Sequence, residues 1–284
     1  MASKTWVSVN GDWATAASWN PAGVPVDGDD IYFTGSSQVS VTAGLTLGVA
    51  GDALASLNLH ENYTGSIGTS GGKLIALSIT TIRHAGRGSQ LFVQSASTTN
   101  AYMQTASGRT DFAELAGTYT NVYLIGCAGS MAITAAAAIT NLDMHGSVDC
   151  TLTINASVTA LNRIRQSSGR IVSGSAVSTG TAPHILITGG RFEHTTGVIT
   201  TMNVAGGGLI IHRAPAAGTT LNIFSGGTFD GRTNASVGPL TFTDVFNFSG
   251  GKLFIRNALD SYAVTNYYPL GGSTDTEIGA VIAI

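Results

Sequence analysis

The sequence predicts an all-β protein whose short strands wind into a parallel solenoid. Three observations support this fold class: glycine is abundant while charge is scarce, a glycine-marked turn recurs along the chain, and apolar and polar residues alternate after each turn. Alternation with a period of two is typical of a strand with one buried face. No helical segment separates these strands, so a solenoid of alternating strands and helices is excluded.

The composition limits the class of protein. Of the 284 residues, 37 are glycine, 43% are hydrophobic and 10% are charged, whereas charged residues make up about 25% of an average domain. The apolar content supplies a sizeable core and argues against intrinsic disorder. The net charge of -3 argues against a nucleic-acid binder. The sequence lacks an apolar run of about 18 residues, which argues against membrane insertion.

The recurring turn consists of a small residue, a glycine, a polar residue and an apolar residue. It occurs ten times with a mean spacing of about 20 residues, which is a repeat length typical of stacked arrays. We align the turns on Gly72, Gly88, Gly108, Gly129, Gly146, Gly169, Gly190, Gly207, Gly227 and Gly251. Since stacked strands lie about 4.8 Å apart, each turn predicts one coil of a solenoid of about ten coils.

The apolar position after each turn is expected to point into the core, where each large side chain contributes about 1.5–3 kcal/mol. All but one of its members are apolar. They are Leu74, Leu91, Thr110, Met131, Val148, Ile171, Phe192, Leu209, Phe229 and Leu253. A second alternating strand precedes several turns and predicts an outward column of stacked amides, formed by Asn58, Asn203, Asn222 and Asn247.

This repeat, over about residues 31–256, resembles right-handed parallel β-helix proteins. That group includes pectin lyases, phage tailspikes, autotransporter passengers and some phage head decoration proteins. The resemblance implies a single-stranded right-handed parallel β-helix over residues 36–256 with a cap at each end, and it implies no particular chemistry. A β-sandwich is the alternative fold, although a sandwich does not need a turn that recurs in register.

Residues 1–35 form a separate N-terminal segment that contains every tryptophan of the chain: Trp6, Trp13 and Trp19. A Pro- and Gly-containing stretch and the sequence Gly28-Asp-Asp30 follow them. The segment is similar to the opening that precedes β-helical domains of bacterial surface proteins and phage proteins. We interpret it as a cap whose indoles cover the open end of the helix. The alternative is an attachment segment or sugar-binding platform that uses the aromatic rings.

Residues 257–284 break the repeat and predict either a second cap or an adhesive arm that orders on a partner. Their aromatic residues are Tyr262, Tyr267 and Tyr268. The N-terminus has no apolar h-region, so no signal peptide is predicted. Cys127 and Cys150 are expected to be buried, reduced thiols.

The polar position directly after the aligned glycine carries several cations. Stacked coils would place them in one outward column, formed by Lys73, Arg109, Arg170, Arg191 and Lys252. One interpretation is a solubilising ladder at an exposed corner. The other is a docking face for an acidic protein surface or a glycan. With the three tryptophans, these residues are the candidate contacts to a capsid or other partner.

The sequence contains no serine-hydrolase, phosphate-binding or zinc-protease motif. Outward carboxylates are expected on alternate coils at Asp111, Asp149, Glu193 and Asp230. Glu193 and Asp230 are the strongest candidates for an enzyme, because a spacing of about 10 Å is close to that of an inverting glycosidase pair. The alternative is polar surface. His194 and His212 are expected to lie close together on adjacent coils, but a metal site needs a third ligand.

The sequence therefore favours a structural virion protein, a phage capsid decoration protein that is made in the host cytoplasm and binds the major capsid protein at the virion surface. A stiff capped solenoid without a catalytic constellation suits this role. Strand surfaces with few charges favour symmetric self-association, for example as a homotrimer. The alternative is a glycan-binding adhesin or tailspike-like module that binds a host surface glycan and, in one form, hydrolyses it. We expect no enzyme activity, cofactor or metal.

Overall fold

A computed structural model describes residues 2–47, 52–104, 111–134, 138–155, 158, 160–174, 184–195, 198–213, 218–231, 241–255 and 263–276. The chain forms two compact units. The first comprises Met1–Ile139 with Asp149–Thr151, and the second comprises Thr140–Val148 with Leu152–Ile284. Among the described residues, no helix is long and apolar enough to cross a membrane.

The first unit is built from strands, with one short 3-10 helix at Ala16–Ser18. Its strands are β1 (Ser3–Trp6), β2 (Trp19–Asn20), β3 (Asp30–Phe33), β4 (Ala53–Leu59), β5 (Ser66–Ile67), β6 (Leu74–His84), β7 (Gln90–Met103), β8 (Asp111–Ile125) and β9 (Gly129–Thr134). One parallel ladder joins β1, β3, β4, β6, β7 and β8. A second joins β5, β7, β8 and β9. The long strands β7 and β8 take part in both.

Two strands contribute residues to both units: β10 (Ala138–His145) and β11 (Cys150–Ile154). The remaining strands belong to the second unit. They are β12 (Ala160–Gln166), β13 (Arg170–Ser173), β14 (His184–Ile187), β15 (Arg191–His194), β16 (Thr201–Val204), β17 (Leu209–His212), β18 (Gly218–Ile223), β19 (Thr228–Asp230), β20 (Thr241–Phe248), β21 (Lys252–Ile255), β22 (Ala263–Leu270) and β23 (Ser273–Thr276).

In the second unit the even-numbered strands from β12 to β22 form one parallel ladder. The odd-numbered strands from β13 to β23 form the other. Each coil therefore contributes one strand to each ladder, which confirms the predicted all-β parallel solenoid. The predicted number of coils is close to the number observed.

The inward side chains of the second unit form the predicted apolar column. Its members occupy one register position on successive strands, and each is at most 1% exposed: Ile171, Phe192, Ile210, Phe229 and Leu253. A glycine turn makes this stacking possible. Gly190 has a φ of +76°, and a Cβ there would lie 2.4 Å from the carbonyl oxygen of Gly169, so only glycine fits.

The predicted inward column is wrong at two positions. Leu209 is half-buried, and Ile210 is the residue in register with the neighbouring phenylalanines. Three consecutive glycines precede β17, and the sequence alone does not show which of them matches the aligned glycine of the other turns. The predicted register was therefore off by one residue. Val148 is 76% exposed because β11 begins two residues later, at Cys150.

In the first unit, Leu74 is buried as predicted, but its register differs from the alignment. It pairs with Val93 of β7, whereas Ile67 pairs with Leu91. The turn at residues 71–74 therefore does not occupy the same place in its coil as the following turns. The predicted member Thr110 lies outside the described residues.

The asparagine column is confirmed in part. The side-chain amide of Asn222 donates to Asn203 Oδ1 at 2.9 Å, and the two residues are in register. Asn58 is in register with half-buried Tyr32 on the outward face, but it is itself buried. Asn247 points into the core and is fully buried. In β20 the side chains of Val245 and Asn247 are buried, whereas those of Phe246 and Phe248 are only half-buried. The inward face of this strand therefore contains the asparagine and not the phenylalanines.

The three tryptophans pack together in the first unit. Trp19 lies between the other two, with ring centroids 5.0 Å from Trp6 and 4.7 Å from Trp13. Phe33 of β3 contacts all three rings. The indole of Trp6 donates to the carbonyl of Val39 at 2.9 Å. Because no indole is more than 2% exposed, their rings cannot form the predicted contact with a partner, and their packing is that of a buried cluster at the start of the ladder.

The end of the chain continues the solenoid through its last described residue. β22 pairs in parallel with β20, and β23 pairs in parallel with β21. Tyr268 stacks on Phe246 with centroids 4.5 Å apart. Residues 263–276 are thus part of the ladders rather than an arm, while Tyr262 and the predicted cap over residues 277–284 lie outside the described residues.

Candidate functional site

Three arginines surround one buried carboxylate in the second unit, and we call these four residues the arginine cluster. Arg170 Nε donates to Glu193 Oε1 at 2.6 Å. Arg191 Nε lies 2.8 Å from the same oxygen, and Arg213 Nη2 lies 3.8 Å from Oε2. The glutamate side chain is 3% exposed, while the arginine side chains are 42–48% exposed. The cluster therefore presents three cations to solvent around one anion.

Strand register creates this cluster. Arg170 and Arg191 are directly opposite each other on β13 and β15, and Arg213 directly follows β17. Burial of the Glu193 carboxylate acts to raise its pKa, but the hydrogen bond from Arg170 and the surrounding arginine charges lower it, and the net pKa lies below the usual value. The carboxylate is thus held ionised and fixes the positions of the guanidinium groups.

The predicted basic column is present in the second unit. From Arg191 the register continues through Leu209 and Thr228 to the exposed Lys252. Two neutral residues therefore separate the lysine from the arginines. Only the arginine pair lies on adjacent strands of this column.

Of the other two members of the predicted column, the structure describes only Lys73, which does not support it. Lys73 Nζ lies 2.8 Å from Glu114 Oε1, and its side chain is only 18% exposed. It directly precedes β6, whose register differs from the alignment, so Lys73 is part of an internal ion pair of the first unit. Arg109 lies outside the described residues.

The candidate carboxylate pair has the predicted spacing, but the environment of Glu193 is unsuitable for a general acid. Glu193 and Asp230 are each in register with Ile211, so they stand two strands apart, about 10 Å. A general acid must be protonated at the working pH. The arginines stabilise the ionised form of Glu193 instead. Asp149 is exposed, and the side chain of Asp111 is not described.

The histidine pair lies inside the second unit. His194 Nδ1 and His212 Nε2 are 3.1 Å apart, the residues are in register, and both are fully buried. This confirms the predicted proximity. Burial lowers the pKa of His212 well below its usual value, and the charge of His194 lowers it further. Within the part of the chain that the structure describes, no group of three or more potential ligands could hold a metal ion.

Cys127 and Cys150 form no disulfide and are buried, as predicted. Cys127 Sγ lies 2.8 Å from the carbonyl oxygen of Met103. The hydrogen bond between the two thiols raises the pKa of Cys150, and burial raises it further. Both cysteines are therefore structural groups of the first unit.

A second polar site, which the sequence did not predict, lies on the outward face of the first unit. Tyr32, Asn58, Arg83, Tyr102 and Tyr123 occupy one register position on β3, β4, β6, β7 and β8. The last two rings stack with centroids 5.0 Å apart and an angle of 11°. The guanidinium carbon of Arg83 lies 5.7 Å from the centroid of the Tyr102 ring. This register position therefore forms a stacked ladder of amide, guanidinium and phenol groups.

A groove of about 500 Å³ runs beside this ladder. Its lining combines charged, amide and apolar groups: Asn58, Leu59, His60, Glu61, Arg83, Ala85, Arg87, Gln104, Ile125 and Gly126. A smaller cavity of about 290 Å³ shares Arg83, Ala85 and Gln104 and adds Tyr102. We call the two together the tyrosine–arginine groove. Concave sites of this size are typical of small-ligand binding.

No protein-family model matches this chain, and neither a curated protein nor a solved structure is similar to it at a significant level. The strand register alone therefore shows the fold, and the two polar sites are the features that bear on function.

Proposed function

We propose that this chain is a structural virion protein, a phage capsid decoration protein that binds the outside of the head through the arginine cluster. The observation that carries the proposal is the arrangement of Arg170, Arg191 and Arg213 around Glu193. With one carboxylate against three guanidinium groups, the formal charge of the cluster is +2. A surface of this kind fits an acidic patch on a folded protein such as the major capsid protein.

The chemistry of arginine supports a protein partner. A guanidinium group forms paired, charge-assisted hydrogen bonds with a carboxylate. Because Glu193 already holds Arg170 and Arg191 through their Nε atoms, little side-chain entropy is lost when their outer nitrogen atoms bind a partner. The continuous apolar column beneath the cluster supplies a stiff support. We propose that the protein acts at the virion surface and that its low-charge strand faces associate as a homotrimer, which sedimentation velocity of the purified chain tests.

Binding to undecorated heads tests the proposed attachment. The chain is mixed with heads of the phage whose genome encodes it, and the bound fraction is measured after the heads are pelleted. We expect binding at micromolar concentration or better that weakens with salt, because exposed charges carry it. Replacing Arg170 and Arg191 together with glutamine should weaken binding at least about tenfold, since each charge-assisted hydrogen bond contributes about 1.5–3 kcal/mol.

The matched control is Arg165→Gln, which removes an exposed cation of the second unit that lies outside the cluster. This variant should bind heads like the wild type. Absence of binding at micromolar concentration would count against the decoration function. Equal binding by the double variant would place the attachment surface elsewhere.

A second candidate function, recognition of a host surface glycan by an adhesin or tailspike-like module, is favoured by the tyrosine–arginine groove. We propose this function as binding without hydrolysis. A hydrolytic form needs a protonated carboxyl group as general acid, and Glu193, which the arginines keep ionised, does not supply one. A reducing-sugar assay checks this point: release of sugar by the wild type that is lost in Glu193→Gln would make the protein a hydrolase.

A further inference from the structure

The geometry points to a binding site for an acidic oligosaccharide in the tyrosine–arginine groove, with Arg83 as the residue that receives the carboxylate of the sugar. This inference rests on the second candidate function, glycan recognition, and is independent of head binding. It assigns to that function a site, a ligand class and a central residue.

Arg83 is held in place before any ligand arrives. One of its terminal nitrogens donates to Asn58 Oδ1 at 3.3 Å. Asn58 is only 6% exposed, and its own amide donates to the carbonyl of Ile31 and to Ser56 Oγ. On the other side, the guanidinium group contacts the ring of Tyr102, which Tyr123 supports by stacking. A buried amide and a stacked ring pair therefore fix an exposed cation.

The position of Arg83 makes its charge available to a ligand. It lines both cavities of the groove, and its side chain is exposed. Its partners in the ladder, an amide and a phenol ring, are neutral, so its positive charge is not compensated there. Arg87 adds a second cation to the larger cavity, against a single carboxylate from Glu61. An anionic group is therefore favoured over a cationic one.

The remaining lining favours a polyhydroxyl compound. The Gln104 amide supplies both donors and acceptors, the Glu61 carboxylate accepts, and His60 supplies ring nitrogens. The exposed side chain of Ile125 provides apolar surface beside them. Donors, acceptors and small apolar patches in alternation match the hydroxyl groups and C–H faces of a sugar chain, while the cation matches a uronic or sialic acid carboxylate.

An acidic peptide fits this groove less well. Peptides commonly bind a sheet by adding a strand to an unpaired edge. The groove lies over the C-terminal ends of β4, β6, β7 and β8, and the first three of these strands are each paired on both sides. Backbone groups of a peptide would find no edge there, whereas sugar hydroxyls pair with side chains.

Calorimetric titration of the full-length protein with defined sugars tests the assignment. The probes are trigalacturonate and sialyllactose as acidic sugars, maltotriose as a neutral sugar, and a tri-glutamate peptide. We expect binding of at least one acidic sugar that is at least about tenfold tighter than binding of maltotriose or the peptide. Arg83→Gln should weaken that binding at least about tenfold, and Tyr102→Phe should weaken it less, because the stacked ring remains.

Two further variants separate the possible results. Arg165→Gln removes an exposed cation outside the groove and should bind like the wild type. If Arg170→Gln/Arg191→Gln loses the sugar while Arg83→Gln retains it, glycan recognition stands but the groove assignment is overturned. A preference for maltotriose overturns the acidic ligand class, and a preference for tri-glutamate overturns the choice of sugar over peptide. Absence of binding to any probe overturns both the site and the second candidate function. Thermal unfolding of each variant verifies that it is folded.

Discussion

The arginine cluster of the second unit and the tyrosine–arginine groove of the first are built by the same device but hold their cations differently. In both, strands in register place outward side chains above one another. In the cluster a buried carboxylate, Glu193, holds three guanidinium groups by charge. In the groove a neutral amide and a phenol ring hold Arg83.

Because of this difference, we expect substitutions in the cluster to affect stability and substitutions in the groove to affect mainly ligand binding. The cluster contains a nearly buried anion that depends on its arginines, so its charges contribute to the folded state as well as to any partner contact. The groove contains an exposed cation whose neighbours are neutral, so it does not balance a buried charge. We therefore expect the cluster to tolerate substitution poorly and the groove to tolerate it well.

Of the substitutions at the two sites, Glu193→Gln is expected to have the largest effect on stability at neutral pH. The substitution keeps the shape of the side chain but leaves Arg170 and Arg191 adjacent without a counter-charge. Because the arginines are about half exposed, solvent screens part of the loss, and we expect the free energy of unfolding to fall by about 1–3 kcal/mol. Urea unfolding at neutral pH and low salt measures it. Glu61→Gln, an exposed carboxylate of the groove, is the control and should change stability by less than about 0.5 kcal/mol.

The pH dependence of this effect has a definite sign. The pKa of Glu193 is lowered in the folded state, so its stabilisation is present above the unfolded pKa and is lost as the pH falls through the folded pKa. The difference between the wild type and Glu193→Gln should therefore shrink below about pH 4. A difference that stays constant from pH 7 to pH 3 would show that charge is not its cause.

The second prediction concerns the pH dependence of stability that arises from a buried histidine in each unit. Burial lowers the pKa of His84 in the first unit to about 4, although a hydrogen bond with Ser89 opposes the shift. The imidazole of the unfolded chain is protonated near pH 6.5, whereas that of the folded chain is protonated only near pH 4. The free energy of unfolding therefore falls as the pH drops from about 6.5 to 4. At about 1.4 kcal/mol per pKa unit, His84 alone accounts for about 3 kcal/mol. His212 in the second unit acts in the same direction.

Urea midpoints measured between pH 7.5 and pH 4 check this prediction. His84→Leu should flatten the dependence. His184→Gln, a substitution at an exposed histidine of the second unit, should leave it unchanged. A wild-type midpoint that is constant over this range would contradict the neutral, buried state of these imidazoles.

The sequence predicts the cluster better than the groove, and the reason is geometric. A glycine turn precedes each odd-numbered strand from β13 to β23, so Arg170 and Arg191 fall at one offset and align as predicted. Arg213 follows the end of its strand, at an offset that the turn alignment does not use. The predicted register was wrong where no side chain marks it, as at Leu209. It was also wrong where the strand begins well after the aligned glycine, as at Val148, because Gly146 is the anchor and β11 begins only at Cys150.

The groove has a weaker sequence signal. Asn58, Arg83, Tyr102 and Tyr123 are each separated by about one repeat length, but their distances to the next aligned glycine differ because the coils are of unequal length. Small differences in coil length accumulate between the anchor and the ladder, so an alignment on the turns alone does not bring the four residues into one column. Only the observed pairing of β4, β6, β7 and β8 does so.

The smallest effect on stability is expected for Arg83→Gln, and this contrast completes the comparison. The side chain is exposed, its hydrogen bond to Asn58 is long at 3.3 Å, and glutamine retains a donor for the same oxygen. The cation–π contact with Tyr102 is lost, which at an exposed site costs about 0.5–1 kcal/mol. Urea unfolding should therefore show a loss of at most about 1 kcal/mol. A larger loss would mean that Arg83 stabilises the fold, as Glu193 does. That result would count against the proposal that Arg83 is held in place to bind a ligand.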